Sequence, residues 1–130
     1  MASLIPYLVF PGTCKEALTY YATILKGTIT TMISFEESPI PVSSEFQKRI
    51  FDAELKAGDV HFKASDDLPE HPIKRGNNIS LFLAFPDKKE KKHVFRALRQ
   101  NGKVLFPLDD NFGMLEDQYG IQWMIVNKGK

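Results

Sequence analysis

Two acidic side chains near the middle of the chain could transfer protons. Asp52 and Glu54 are two residues apart in a strand-like segment, so both should point to the same face of a sheet. In a dry cleft their pKa values would rise and either group could act as a general acid or base. On a partly solvated face they would instead pair with Lys or Arg of a neighbouring strand, which is the interpretation we prefer.

The histidines and the single cysteine are further candidates for chemistry. His61, His71 and His93 fall on a predicted strand, loop and helix and show no metal-binding spacing, so we expect them at the surface. Cys14 falls in the first turn of a predicted helix, where the helix dipole favours a reactive thiolate. A small residue packed at a helix start explains Cys14 equally well, and we prefer this structural role.

Composition excludes several classes of protein. The 130 residues are 43% hydrophobic and 25% charged, which is typical of one globular domain. Seventeen basic and sixteen acidic residues leave a net charge of +1, so no overall field favours nucleic acid or an anionic membrane. The lysine-rich segment 88–92 is predicted to be a solvated helix face. No apolar run is long enough to span a membrane, no signal peptide is evident, and one cysteine suits a reducing cytoplasm.

The first half of the chain predicts a β-α-β-β-β order. An apolar strand at 4–10 ends at Pro11-Gly12, and Thr13 with Glu16 forms a potential capping box. The helix is predicted at about 14–25, with Gly27 as the left-handed residue that ends it. Three strands are then predicted at 28–35, 48–56 and 60–64.

The second half repeats this order. A strand at 79–85 is followed by an acidic helix cap at Asp87 and a helix that ends near Gly102. Three strands are predicted at 103–108, 112–117 and 121–126. The two Phe-Pro pairs that end the first strands, and the two glycines that end the helices, are each 75 residues apart, which indicates a duplicated layout.

The predicted fold class is therefore α+β, with two β-α-β-β-β modules. We expect a single domain over 1–130, with module one at about 1–66, module two at about 77–130 and a crossing loop between them. One helix per module should lie on the outer face of a curved mixed sheet. A concave cleft is expected between the halves.

Several motifs together resemble one protein family. They are Pro6-Tyr7-Leu8-Val9-Phe10-x-Gly12-x-Cys14-x-Glu16-Ala17-Leu18, Ala53-Glu54-Leu55-x-x-Gly58-Asp59, Ile79-Ser80-Leu81, and Phe112-Gly113-Met114-Leu115-x-Asp117-x-x-Gly120-x-x-Trp123-Met124. This combination resembles the PhnB-like branch of the vicinal oxygen chelate superfamily, which includes glyoxalases, bleomycin-resistance proteins and extradiol dioxygenases. The resemblance spans nearly the whole chain.

The resemblance also implies where a metal would be bound. Many enzymes of the superfamily hold a divalent ion with one ligand from each of four strands, and these positions correspond to Pro6, Asp52, Ser80 or Leu81, and Met124. Only Asp52 carries a suitable donor, and the family pattern usually has His there, so no metal and no cofactor are predicted. Some relatives carry a ubiquinone-methyltransferase type of name, but no G-x-G-x-x-G turn supports a methyl-donor site.

Three functions follow from the resemblance, and they stay open at this point. The preferred one is a metal-independent protein that binds a small organic ligand in the cleft, with sequestration or resistance as the role that such binding would serve. The others are a metal-dependent lyase or dioxygenase-like enzyme with Asp52 or Glu54 as base, and an interaction dimer without ligand. A homodimer is implied by the resemblance. The predicted cleft residues are Pro6, Leu8, Asp52, Glu54, Ser80, Phe82, Phe112 and Met124.

Overall fold

A computed structural model describes residues 1–128, and the chain divides into two compact units, Met1–Lys74 and Arg75–Lys130. Within residues 1–128, each unit contains one α-helix and one four-stranded mixed sheet. The α+β class and the two β-α-β-β-β modules predicted from the sequence are thus confirmed, with the eight strands divided equally between two sheets. In the described part of the chain, no helix combines the length and apolar character needed to cross a membrane.

The first unit follows the predicted order closely. Its elements are β1 (Tyr7–Phe10), α1 (Cys14–Leu25), β2 (Thr28–Ser34), β3 (Ile50–Ala57) and β4 (Val60–Asp66), with one 3₁₀ turn at Ser44–Phe46. The strand order is β1-β4-β3-β2, in which β1 and β4 are parallel and the other pairs are antiparallel. The loop between β2 and β3 contains Pro39 and Pro41, which lie between the strands predicted at 28–35 and 48–56.

The second unit repeats the same topology. Its elements are β5 (Leu81–Phe85), α2 (Lys88–Leu98), β6 (Lys103–Phe106), β7 (Phe112–Glu116) and β8 (Gln122–Asn127). The order β5-β8-β7-β6 matches that of the first sheet position by position, including the single parallel pair. The 75-residue repeat in the sequence therefore reflects a repeat in topology.

A left-handed residue follows each helix, and in both cases a glycine comes next. Lys26 directly follows α1 with a φ of 55°, whereas Asn101, with a φ of 58°, lies in the turn after α2, so the prediction that Gly27 fills this role is wrong. Gly27 and Gly102 instead follow those residues, where the chain passes close to a strand. A Cβ on Gly27 would lie 2.8 Å from the Cβ of Ala57, closer than atoms of this kind approach. The glycine landmarks are required by close packing rather than by dihedral angle.

The predicted capping box at the start of α1 is also not formed. Thr13 is the N-cap residue, but it makes no side-chain capping hydrogen bond. The backbone N–H of Cys14 donates to Oδ1 of Asp66, which lies at the end of β4, at 2.8 Å. The other oxygen of Asp66 accepts from the N–H of Ile50 at 2.8 Å. One buried carboxylate thus joins the helix start, β3 and β4, and no local sequence pattern could identify it.

Each helix covers one face of the sheet in its own unit. The helix-facing residues of the first sheet are buried; they include Phe10, Ala53, Leu55, Phe62 and Ala64. In the second unit, Leu83, Phe85, Leu115 and Ile125 form the corresponding buried set. Side chains alternate along each strand, so the other half of the residues lie on a face that the helix of the same unit does not cover. We call these the open face of unit 1 and the open face of unit 2.

Candidate functional site

The open face of unit 1 carries most of the ionisable side chains of the sheet. Strand register places Tyr7, Lys63 and Glu54 in one row across β1, β4 and β3. Asp52 lies two residues along β3, and His61 two residues along β4. As predicted, Asp52 and Glu54 share a face, and two cationic or titratable groups of β4 lie beside them.

Glu54 is engaged on both oxygens. The hydroxyl of Thr30 donates to Oε1 at 2.6 Å, and Oε2 lies 2.7 Å from Nε2 of His61. The hydrogen bond from Thr30, and then that with His61, lower the pKa of Glu54 to about 2. A carboxylate with such a low pKa holds a proton weakly at neutral pH, so Glu54 is a poor general base. His61, which we expected at the surface, is partly buried and is a partner of Glu54.

Asp52 forms the second pair of this face. Its Oδ1 lies 3.3 Å from Nζ of Lys63, and both side chains are about one third exposed or less. The preferred interpretation, in which each carboxylate pairs with Lys or Arg of a neighbouring strand, agrees with the contact of Asp52 with Lys63; Glu54 instead contacts His61 and Thr30. Pairs of this exposure contribute little to stability, and their main effect is to leave no unpaired carboxylate in this patch.

The predicted cleft residues of β1 do not all join this patch. Leu8 is in register with Ala64, a fully buried residue beneath α1, so its side chain belongs to the helix-facing side. Tyr7 and Val9 occupy the open face instead, and both are exposed. The carbonyl of Pro6 accepts a hydrogen bond from the N–H of Lys63 at 2.9 Å, which extends the β1–β4 pairing. Residues 4–10 are almost all apolar, so their sequence shows no alternation of polar and apolar side chains. It therefore could not indicate which side of the strand faces the helix.

The open face of unit 2 is apolar, in contrast to that of unit 1. Phe82 is in register with Met124, which pairs in turn with Met114, and Phe112 pairs with Val126. Three predicted cleft residues, Phe82, Phe112 and Met124, are thereby brought to one face. The ring centroids of Phe106 and Phe112 are 5.9 Å apart, so the apolar patch extends to β6.

This apolar patch is unusually accessible for its composition. Phe82 is 65% exposed and Phe106 is 53% exposed. Large apolar side chains that adjoin one another at a surface are typical of ligand-binding or protein-binding sites. Single exposed apolar side chains are common on all proteins and do not indicate such a site. The flat rings and the flexible thioethers of the two methionines suit an aromatic or aliphatic ligand.

Ser80, also a predicted cleft residue, has a structural hydrogen bond. Its hydroxyl oxygen lies 3.1 Å from Nε2 of Gln122, which also donates to the carbonyls of Asn77 and Ile79 at 3.3 and 3.4 Å. Gln122 is the first residue of β8, and its side chain therefore holds the segment before β5 against this strand. A glutamine in a strand belongs to no motif, so the sequence does not reveal this role of Gln122.

The Asp117-x-x-Gly120-x-x-Trp123 motif has a structural explanation as well. Oδ1 of Asp117 accepts from the N–H of Tyr119 at 2.8 Å and from that of Ile121 at 3.1 Å. Oδ2 accepts from the indole N–H of Trp123 at 2.8 Å. Gly120 has a φ of +88° in this turn, a conformation that favours glycine. The motif builds the β7–β8 turn.

Cys14 is buried under the first sheet and is fully inaccessible. Burial raises the pKa of its thiol far above the ordinary value, and the carboxylates of Asp66 and Asp52 raise it further. These effects oppose the helix dipole, so the prediction of a packed structural residue agrees with its burial. The described cysteine is not paired in a disulfide.

We expect Cys14 of the native protein to react with a thiol reagent such as Ellman's reagent on the order of 100-fold more slowly than in guanidinium chloride. The physical reason is that the thiolate is the nucleophile and its formation is suppressed by burial. The rate is followed by absorbance, with the unfolded protein as the control. Rapid reaction of one thiol per native chain would contradict this assignment.

The metal positions implied by the superfamily do not fit a divalent ion. Within residues 1–128 no group of three or more His, Cys, Asp or Glu side chains is arranged to hold a metal. Pro6 has no side-chain donor, the Ser80 hydroxyl contacts Gln122, and the Met124 thioether is a poor ligand for hard cations. Asp52 is a suitable ligand by type, but its carboxylate faces the ammonium of Lys63.

Two β-α-β-β-β modules with matched strand orders are the fold expected of the vicinal oxygen chelate superfamily. The chain belongs to the family described as 3-demethylubiquinone-9 3-methyltransferase, whose model matches residues 2–126. The PhnB-like resemblance noted in the sequence is thereby confirmed.

Solved structures agree with this assignment. The chain is similar to protein PA1353 from Pseudomonas aeruginosa, with 32% identity, full coverage of both chains and a TM-score of 0.90. It is also similar to the PhnB protein from Bacillus cereus, with 22% identity, coverage of 98% of this chain and 100% of the other, and a TM-score of 0.83. The fosfomycin resistance protein FosX from Listeria monocytogenes shares the fold at 6% identity, with 98% and 92% coverage and a TM-score of 0.64.

Proposed function

We propose that this protein binds a small organic molecule with an aromatic or aliphatic body, and that the open face of unit 2 supplies the main apolar contact. The observation that carries this proposal is the adjoining set of exposed apolar side chains around Phe82 and Phe106. Binding such a body would remove apolar surface from water, which is worth roughly 25 cal/mol per Å² before the costs of association. The fold is compatible with this role, since FosX has been crystallised with a small phosphonic acid and Mn(II).

The proposed binding needs no metal. The only carboxylates of the open face of unit 1 are engaged by Lys63 and by Thr30 with His61. A metal-dependent lyase or dioxygenase would need three or four donors, and only Asp52 is available by type among the implied positions. The methyl transfer named in the family description is not part of this proposal, because the sequence contains no Gly-rich nucleotide turn.

A thermal-shift screen tests the proposal. A panel of planar aromatic antibiotics and aromatic thiol conjugates is added to chelator-treated protein, and the melting temperature is measured. We expect at least one compound to raise it by about 5 to 10 °C at saturation, because a ligand that binds only the native state stabilises that state. Phe82→Ala should reduce the affinity about tenfold, in keeping with the loss of one stacked ring.

A matched control separates the open face from general surface hydrophobicity. Ile79 is 77% exposed and lies in the same unit outside the strands, so Ile79→Ala should leave the shift unchanged. Equal losses in the two variants would contradict the assignment. A shift that appears only with added Zn or Mn would overturn the metal-free part of the proposal.

The family resemblance implies a homodimer, and we include this homodimer in the proposal. Its test is a measurement of molecular mass in solution. Light scattering on a sizing column should show about twice the chain mass of 14.8 kDa. If Phe82→Ala converts a dimer into a monomer while no compound raises the melting temperature, the apolar face is a protein contact. That result would replace the ligand-binding proposal with the interaction dimer.

A further inference from the structure

A concave surface lies on the helix side of unit 2, between α2 and the chain from β6 into the following loop. Its volume is about 530 Å³, within the range of small-molecule sites. We call it the α2 groove. It is lined by Lys92, Phe95, Arg96, Arg99, Val104, Pro107 and Leu108.

The base of the α2 groove is apolar and held in position by packing. Phe95 is 6% exposed, and a Cβ on Gly113 of β7 would lie 2.7 Å from its ring. The ring therefore rests on the bare backbone of β7. Leu108 approaches the same glycine, with its Cα 2.9 Å from that Cβ position. Only glycine allows both side chains this close, so the groove depends on the sequence of β7.

The loop that forms the far wall is fastened to α2 by a buried lysine. Lys91 is 2% exposed, and its Nζ donates to the carbonyls of Asp109 and Asp110 at 3.2 and 3.5 Å. The prediction that the whole 88–92 segment is a solvated face is thus wrong for Lys91. Oδ1 of Asp109 also accepts from the N–H groups of Asn111 and Phe112, which orders the loop. The wall is fixed in place before any ligand arrives.

The rim of the α2 groove is cationic. Lys92, Arg96 and Arg99 are spaced by four and three residues, so they form one stripe along the helix, and all three are exposed. In the described residues none of them takes part in an ion pair. Residues 75–130 contain ten Lys and Arg against six Asp and Glu, a net charge of +4 that the overall value of +1 conceals. The unit that carries the rim is therefore cationic overall.

We propose that the α2 groove binds an organic anion with an apolar body, of the medium-chain carboxylate class. The carboxylate would lie at the rim, where an arginine guanidinium can donate two parallel hydrogen bonds. The chain would lie over Phe95, Val104 and Leu108. This site lies on the helix side of the sheet and does not depend on ligand binding at the open face of unit 2.

Calorimetric titration with sodium decanoate tests the α2 groove. We expect a dissociation constant below about 1 mM for the wild-type protein. The double variant Arg96→Gln/Arg99→Gln should weaken binding about 10- to 30-fold, because it removes two charged donors and leaves the apolar base intact. The matched control is Lys88→Gln/Lys89→Gln, which removes the same charge from exposed positions of the same helix outside the groove lining.

Two further probes identify what the groove recognises. Decyltrimethylammonium has the same chain with the opposite charge, and inorganic phosphate has charge without a chain; both should bind at least tenfold more weakly than decanoate. Equal weakening by the two double variants, or equal binding of either probe, would overturn the proposal. Absence of decanoate heat up to its solubility limit would do the same. Phe82→Ala should not affect decanoate binding, so failure here is distinguishable from failure of the open-face proposal.

Discussion

Asp66→Asn is expected to lower the free energy of unfolding by about 3 kcal/mol, because an amide cannot accept hydrogen bonds on both of its terminal atoms. In the native protein the two oxygens of Asp66 accept from the N–H groups of Cys14 and Ile50, and the side chain is only 5% exposed. Asparagine would place an NH₂ group against one of these N–H donors. Urea denaturation monitored by fluorescence of Trp123 and by circular dichroism measures the loss.

The control for Asp66 makes the same chemical change without burial. Asp59 is exposed in the turn between β3 and β4, so Asp59→Asn should change stability by less than about 0.5 kcal/mol. Similar effects for the two variants would mean that the carboxylate of Asp66 does not join the helix to the strands.

The pH dependence of the same comparison has a definite sign. Burial raises the pKa of Asp66 above its ordinary value of 3.8, against the lowering effect of the Ile50 and Cys14 amides. The folded state therefore binds this proton at higher pH than the unfolded state does. As pH falls through the native pKa toward 3.8, the contribution of Asp66 to stability increases. The stability difference between wild type and Asp66→Asn should grow over that interval; a shrinking difference would contradict the raised pKa.

Gly113→Ala is expected to cost about 2 kcal/mol, because the added methyl group overlaps two neighbours in a packed region. A Cβ there would lie 2.7 Å from the Phe95 ring and 2.9 Å from Cα of Leu108. The ring can shift slightly, but the Leu108 contact is with backbone and resists movement. The urea midpoint measures the cost, and decanoate binding in the α2 groove should weaken at the same time, since both neighbours line it.

Gly76→Ala is the natural comparison for Gly113. Its nearest neighbour to an added Cβ would be Oδ1 of Asn78, at the ordinary contact distance of 3.7 Å. Stability should change by less than about 0.5 kcal/mol in this case. If Gly113→Ala were equally neutral, the contact between β7, Phe95 and Leu108 would be looser than the structure shows.

The candidate site was partly predictable. That Asp52 and Glu54 share a face follows from the two-residue period of a strand, and this prediction needs no tertiary information. Their partners could not be foreseen, because the register between β3 and β4 decides that Lys63 and His61 lie beside them. Register likewise moves Leu8 to the helix-facing side of the first sheet.

The apolar and cationic surfaces of unit 2 show the same division. The candidates Phe82, Phe112 and Met124 were predicted individually, and the β5-β8-β7 pairing brings them onto one face. The α2 groove was not predicted, since its wall and its base come from segments far apart in sequence. Lys91 illustrates the reason: in a run of lysines its burial depends on two carbonyls about 18 residues away along the chain.

The second helix ends at Leu98, before the stop predicted near Gly102. By itself, the sequence determined the element order, the two modules, the bounds of α1 and the start of α2. These depend on local periodicity, on prolines and on glycines, which act over a few residues. Only the tertiary structure decided which contacts the residues at the helix ends and in the strands make. Asp66, at the end of β4, accepts a hydrogen bond from the start of α1. Lys26 takes the left-handed conformation, and Gly27 allows close contact with a strand. The pairing of the β-strands decides which acidic and apolar side chains are neighbours. Such contacts join residues distant in the chain, so no local pattern specifies them.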